Sequence, residues 1–267
     1  MSEAQVHGIR LYYEEHGEGT PILCIHGGGS SAVMWGDAVA ELARLGRVIV
    51  YDRRGCTRSE RPEPYERTTV AEQADDAAAL LDALTEAPAV VIGRSYGGAV
   101  AIDLALRHPN RVRALALLEG DAFGLSPVGL EWTKGMRDRL REVASRDGVD
   151  AVYEALIGEV LGEGAWDSFP DNVRRTLSQN GPALLAELHY VEEPQPAAAA
   201  FATIDKPALL VAAADSPPEQ REMTEAMAGA LPNARLSLIG GGHLINPAAP
   251  EVLAFIEDVI ESQHASA

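Results

Sequence analysis

Three short stretches hold residue types that together support nucleophilic attack on a carbonyl. Gly93-Arg94-Ser95-Tyr96-Gly97 places a serine with a glycine two residues before and two after it. It lies between the β-branched run Ala89-Val90-Val91-Ile92 and a helical pattern reaching His108. A serine hydroxyl attacks poorly at neutral pH, but a sharp strand-to-helix turn exposes it, and flanking glycines let strand and helix close around it. It still needs a base. His243, in Ile239-Gly240-Gly241-Gly242-His243-Leu244, follows a strand pattern and precedes a helix pattern, so its glycines let the ring swing over a sheet edge. His26-Gly27-Gly28-Gly29 follows a buried apolar run, and the N–H groups of Gly28 and Tyr96 are the expected donors to a developing oxyanion.

The other reading of the serine motif is a phosphate-cradling turn, but its glycine spacing fits neither phosphate-loop pattern. His7 and His16 fall in an N-terminal hairpin, His108 ends a helix, and His264 lies in the tail, all expected in solvent. His189 belongs to a helical stretch where it contacts either substrate or water. A carboxylate must orient the base, and two qualify: Glu119 after the strand ending at Leu118, and Asp215 after the strand ending near Ala213.

The elements that must hold these groups alternate. Val6 to His16 reads as a hairpin around Gly8, Pro21 to Ile25 as a buried strand, Met34 to Leu45 as a helix, and Arg47 to Tyr51 as a strand. A helix over Thr69 to Leu84, capped by Thr68 or Thr69 with Glu72, leads to the strand before Ser95. Val112 to Leu118 is a further continuous apolar strand, and such alternation predicts a mostly parallel sheet covered on both faces. From about 121 to 202 the strands stop. Trp132 to Ala144, Val149 to Leu161 and Val173 to Leu188 read as amphipathic helices of an inserted lid, with Pro194 to Ala200 as the linker returning to the core. Ala208 to Ala213, Glu219 to Leu231, Ala234 to Ile239 and Pro250 to Glu261 then resume strand, helix, strand, helix. The core is expected over 1–120 and 203–267 and the lid over 121–202.

Composition narrows the function. The 267 residues, 46% of them hydrophobic, suffice for a large core, and no run approaches a membrane span. The net charge of −18 repels nucleic acid and anionic membranes, which leaves a small-molecule substrate, with a homodimer an open option. Cys24 and Cys56 show no zinc or redox spacing, and the N-terminus has no export pattern, so a cytoplasmic enzyme is expected.

His-Gly-Gly-Gly, Asp52-Arg53-Arg54-Gly55 through Ser59, Gly-x-Ser-x-Gly and the late Gly-His are spread over nearly the whole chain. As a set they resemble the α/β-hydrolase superfamily. The resemblance implies a mostly parallel central sheet flanked by helices, an inserted helical lid, and a serine, histidine and acid triad. Most members place the acid at a slot that, measured from Pro207, falls on Ser216, one residue beyond Asp215. A minority, including zearalenone-type lactone hydrolases and some haloalkane dehalogenases, carry a glutamate directly after the strand that follows the nucleophile helix. Leu115-Ala116-Leu117-Leu118-Glu119 is similar to that arrangement, so the resemblance implies Glu119 as the acid in preference to Asp215, whose other reading is the cap of the helix after Pro217-Pro218. Thr57 stands where the family's Asp-x-Arg-Gly-x-Gly-x-Ser loop has its second glycine. The expected activity is hydrolysis of a small ester or lactone through an acyl-enzyme, without metal or cofactor. Hydrolysis of a carbon–carbon bond, cofactor-free perhydrolysis, and a lid-switched small-molecule receptor are the alternatives. A serine at the turn argues against dehalogenase and epoxide-hydrolase chemistry, which uses aspartate there. Trp132, Leu185, His189 and Tyr190 are lid candidates for the pocket wall.

Overall fold

The structure is a computed structural model and describes residues 2–122 and 124–264, the side chains of 263 and 264 excepted. The expected solvent position of the His264 side chain lies outside the described residues. Gly8, at φ 80, folds β1 (Ser2–Val6) back on β2 (Ile9–His16) as an antiparallel pair. β3 (Pro21–Ile25), α1 (Ala38–Leu42), β4 (Arg47–Tyr51), α2 (Val70–Leu84), β5 (Ala89–Arg94), α3 (Tyr96–Arg107) and β6 (Val112–Leu118) follow. Only helices occur among the described residues between β6 and the next strand: α4 (Pro127–Asp147), α5 (Val152–Leu161), α6 (Asp171–Ser178), α7 (Gly181–Glu187) and α8 (Ala198–Phe201). β7 (Ala208–Ala213), α9 (Pro218–Ala230), β8 (Ala234–Ile239) and α10 (Pro250–His264) complete the chain.

The eight strands form one sheet in the order β1-β2-β4-β3-β5-β6-β7-β8, parallel from β4 to β8. Alternation along each strand divides the core. Leu23, Ile25, Val91, Leu115 and Leu117 pack with α2, α3 and α9, while Ile22, Cys24, Val90, Ile92 and Leu118 pack with α1 and α10. Each fully buried Val, Leu or Ile contributes about 1.5–3 kcal/mol, which explains why the central strands are apolar on both faces. The inserted helices have a core of their own around Leu140, Val152, Tyr153, Ile157, Leu177 and Leu188. No helix among the described residues is long and apolar enough to cross a membrane.

Two expected helices are broken. Met34 to Leu45 is a 3-10 turn over Ala32–Trp35 followed by the short α1, because Gly36 at φ 48 leaves helical geometry between them. Val173 to Leu188 is α6 and α7, interrupted before Gly181-Pro182. Pro182, in the first turn of α7, lacks the N–H to continue a preceding helix and favours the break, and only glycine fits beside it, since a Cβ at Gly181 would lie 2.0 Å from the Val149 carbonyl oxygen. The expected linker Pro194 to Ala200 overlaps α8. Trp132 to Ala144 is the centre of the longer α4, which begins at Pro127 behind a Ser126 cap.

Candidate active site

Ser95 is the single residue between β5 and α3, held at φ 51 and ψ −126. Such a backbone costs about 1–3 kcal/mol for a residue with a side chain and persists only where its surroundings enforce it. Here the Ser95 N–H donates to the Leu118 carbonyl at 3.1 Å, and its carbonyl accepts from Gly98 at 2.7 Å and Asp121 at 3.2 Å. The glycines of the turn are needed for space: a Cβ at Gly97 would sit 2.2 Å from the Ile25 carbonyl oxygen, and one at Gly98 2.4 Å from the Gly120 Cα. β3 and β5 are neighbours from which the chain winds in opposite directions, and the Gly28 loop and Ser95 leave their carboxyl ends together. That switch point is where open α/β sheets bind ligands.

Glu119 follows β6 directly, is fully buried, and also has positive φ, at 46. One carboxylate oxygen accepts from His243 Nδ1 at 2.7 Å and from Ser216 Oγ at 2.7 Å, and the other accepts from the Ala213 N–H at 2.8 Å. A carboxylate only accepts, so the hydrogen of the first contact rests on Nδ1 and Nε2 is left as an acceptor. Asp215 is exposed, and its N–H donates to the Gly241 carbonyl at 2.9 Å, bracing the glycine loop before His243. Ser216, one residue on, donates to Glu119.

Ser95, His243 and Gly28 line one cleft of about 590 Å³, open solvent included. Its walls from α4 and α5 are mainly apolar, among them Trp132, Met136, Leu156 and Ile157. Of the other lid candidates, Tyr190 faces the cleft, Leu185 packs in the lid core, and His189 lies beside Arg141 and Glu192. Tyr96 meets Ser95 and Gly28 in an adjoining recess. Among the described residues none accepts a hydrogen bond from the Gly28 N–H, whereas the Gly29 N–H donates to Glu187 at 2.7 Å. Asp121 also lines the cleft; burial raises its carboxyl above the usual range although the Tyr190 hydroxyl donates to it at 2.6 Å. Burial lowers Arg94 to about 10; its Nη2 donates to the Ile245 carbonyl at 2.7 Å beside the Trp35 ring. No group of three or more His, Cys, Asp or Glu among the described residues is placed to hold a metal.

A family profile described as the alpha/beta hydrolase fold matches residues 20–250. The chain belongs to that family. It is 39% identical over 166 residues to the uncharacterized hydrolase YraK of Bacillus subtilis (strain 168), covering 59% of this chain and 61% of that one. It is 36% identical over 163 residues to 2-hydroxymuconate semialdehyde hydrolase of Pseudomonas sp. (strain CF600), covering 58% and 56%. The chain thus spans about three fifths of the length of these curated relatives. A malate-bound thermophilic esterase from Thermogutta terrifontis superimposes with a TM-score of 0.75 at 27% identity, over 98% of this chain and 96% of that one.

Within this α/β hydrolase several site residues carry no sequence motif. Asp121, and the bond from Ser216 to Glu119, are found only once the strand ends are placed side by side. The Asp-x-Arg-Gly loop keeps its turn without the glycine because Thr57 adopts φ 46, where Asn180 of the inserted helices accepts from its N–H and donates to its Oγ1. His26 is neutral: burial, aided by the Arg53 charge, lowers it to about 3. Its Nε2 accepts from the Arg53 N–H at 3.0 Å and its Nδ1 donates to the Gly27 carbonyl at 2.9 Å, so it braces the glycine loop.

Proposed function

We propose that this α/β hydrolase cleaves a small carboxylic ester or lactone through an acyl-enzyme, with Ser95 as nucleophile, His243 as base and Glu119 as acid. The observation that carries the reading is the 2.7 Å contact from His243 Nδ1 to the buried Glu119, in a cleft that His243 shares with the strained Ser95. Nε2 of His243 takes the proton of Ser95 Oγ as that oxygen bonds to the substrate carbonyl carbon. Negative charge moves to the carbonyl oxygen, where the N–H groups of Gly28 and Tyr96 receive it, each donor being worth about 3–4 kcal/mol in the transition state. Collapse breaks the carbon–oxygen bond, and the imidazolium returns its proton to the leaving alcohol. Water, deprotonated by the same nitrogen, then releases the acid and restores Ser95. The mainly apolar walls of the cleft favour a compact neutral ester or lactone. We place this activity in the cytoplasm, on a soluble small molecule.

A second reading is hydrolysis of a carbon–carbon bond in a diketone-like substrate, which the likeness to 2-hydroxymuconate semialdehyde hydrolase supports. Purified protein offered short-chain 4-nitrophenyl esters, five- and six-membered lactones, and dienoic diketones separates the two. Turnover of esters or lactones is the expected result. Turnover of diketones alone moves the assignment to the second reading, and ligand binding with no turnover of any of the three overturns the enzymatic one.

A further inference from the structure

The two halves of the proposed oxyanion hole are joined to the lid by one buried ion pair. Arg53 and Glu187 are 134 residues apart in sequence, their side chains are 0% and 1% exposed, and Arg53 Nη1 donates to Glu187 Oε1 at 2.7 Å. Each partner also grips the glycine loop. Arg53 Nε donates to the His26 carbonyl at 3.1 Å and Nη2 to the Gly27 carbonyl at 2.7 Å, while Glu187 Oε2 accepts from the Gly29 N–H at 2.7 Å. The carbonyls of residues 26 and 27 and the amide of 29 are thereby occupied, whereas the peptide N–H of Gly28 between them donates to none of the described residues, and Gly28 lines the cleft. The guanidinium also lies 4.8 Å from the centre of the Tyr96 ring, so the same cation braces the residue that supplies the second donor.

Charge makes the pairing necessary. A Cβ built on Gly28 would lie 3.6 Å from Glu187 Oε2, so a lone carboxylate there would oppose the negative charge that develops on the substrate oxygen. Arg53 neutralises it while leaving its hydrogen-bonding geometry intact. Asn180, at the start of α7, repeats the connection, donating to the Ser30 carbonyl at 2.8 Å and to Thr57 Oγ1 at 2.8 Å. Residues 180–187 of the lid are therefore fixed to the loop at both ends.

We infer that Arg53 and Glu187 are positioning residues for the oxyanion hole, and that α7 is a fixed part of the catalytic apparatus. The inference rests on the proposed serine mechanism, and its test is chosen to separate the two. Replacing both charges by apolar groups avoids leaving one buried ion alone, so Arg53→Met with Glu187→Leu is the informative variant. It is compared with wild type for thermal midpoint, for kcat and KM on 4-nitrophenyl butyrate, and for affinity toward a trifluoromethyl ketone, whose tetrahedral serine adduct carries the oxyanion. The double variant is expected to fold, to keep its KM, and to lose about 30-fold or more in both kcat and inhibitor affinity. Glu187→Gln, nearly isosteric, is expected to show the same parallel loss on a smaller scale, and it serves where the double variant does not fold. Folded variants with wild-type kcat and inhibitor affinity overturn the inference. A wild type that hydrolyses no ester overturns the functional reading instead, and the inhibitor affinities still decide the role of the pair.

Discussion

Glu119→Gln preserves volume and removes charge at a site whose partners are fully specified. Three donors converge on the carboxylate: the Ala213 N–H at 2.8 Å, Ser216 Oγ at 2.7 Å and His243 Nδ1 at 2.7 Å. An amide offers one acceptor oxygen and one NH2 group, so it cannot serve all three. The Ala213 donor belongs to β7 and cannot rotate away, so the amide oxygen stays with it and the NH2 group faces His243. Nδ1 must then accept, the ring proton moves to Nε2, and Nε2 can no longer take the proton of Ser95. The wrong tautomer in a triad of this kind costs about 10³–10⁴ in kcat, or about 4–5.5 kcal/mol at about 1.36 kcal/mol per decade. KM is expected to stay constant. Steady-state release of 4-nitrophenol, with folding checked by circular dichroism, measures the loss. Asp215→Asn, at an exposed carboxylate, is expected to leave kcat unchanged. The reasoning is refuted if Glu119→Gln stays within about tenfold of wild type, or if Asp215→Asn loses as much.

Burial, aided by the Arg53 charge, depresses His26 to about 3, so between the ordinary histidine value of about 6.5 and that point the unfolded chain binds a proton that the folded chain refuses. Stability therefore falls as pH drops through this window, and urea midpoints of His26→Gln should vary less across it; an equal pH slope contradicts this. Thr57→Ala keeps a left-handed backbone and loses the hydrogen bond from Asn180 at 2.8 Å, costing about 1 kcal/mol, whereas Thr57→Gly also sheds about 1–2 kcal/mol of strain. Chemical denaturation should rank glycine above alanine at this position, and the reverse order is the contrary result. Cys24 and Cys56 are fully buried and burial raises both thiols, so iodoacetamide should modify the protein only after unfolding, with two adducts by mass spectrometry. Rapid labelling of the native protein speaks against that burial.

The sheet was legible because its parallel strands are continuous apolar runs: Ala89 to Arg94 and Val112 to Leu118 are among the strands buried on both faces, as their composition requires. The inserted helices were legible as helices but not in their breaks. Helical periodicity carries across Gly181-Pro182 and Gly36, where it is the backbone that departs from helical geometry, at Gly36 through a φ of 48. At the site, Ser95 and His243 stood out by their flanking glycines, which the turn and the loop require. Glu119 was ambiguous from its own surroundings, since local sequence does not say that β7 and β8 bring Ala213, Ser216 and His243 to the end of β6. The Arg53–Glu187 pair was hidden for the same reason. Each residue resembles an ordinary surface charge until the fold removes water from both.

Reaction with a fluorophosphonate, followed by peptide mapping, reports most directly on whether Ser95 is the activated nucleophile. One adduct on the peptide containing Ser95 is predicted, forming rapidly in the wild type and far more slowly in His243→Ala. An adduct on another serine, or equal rates in the two proteins, would contradict the account.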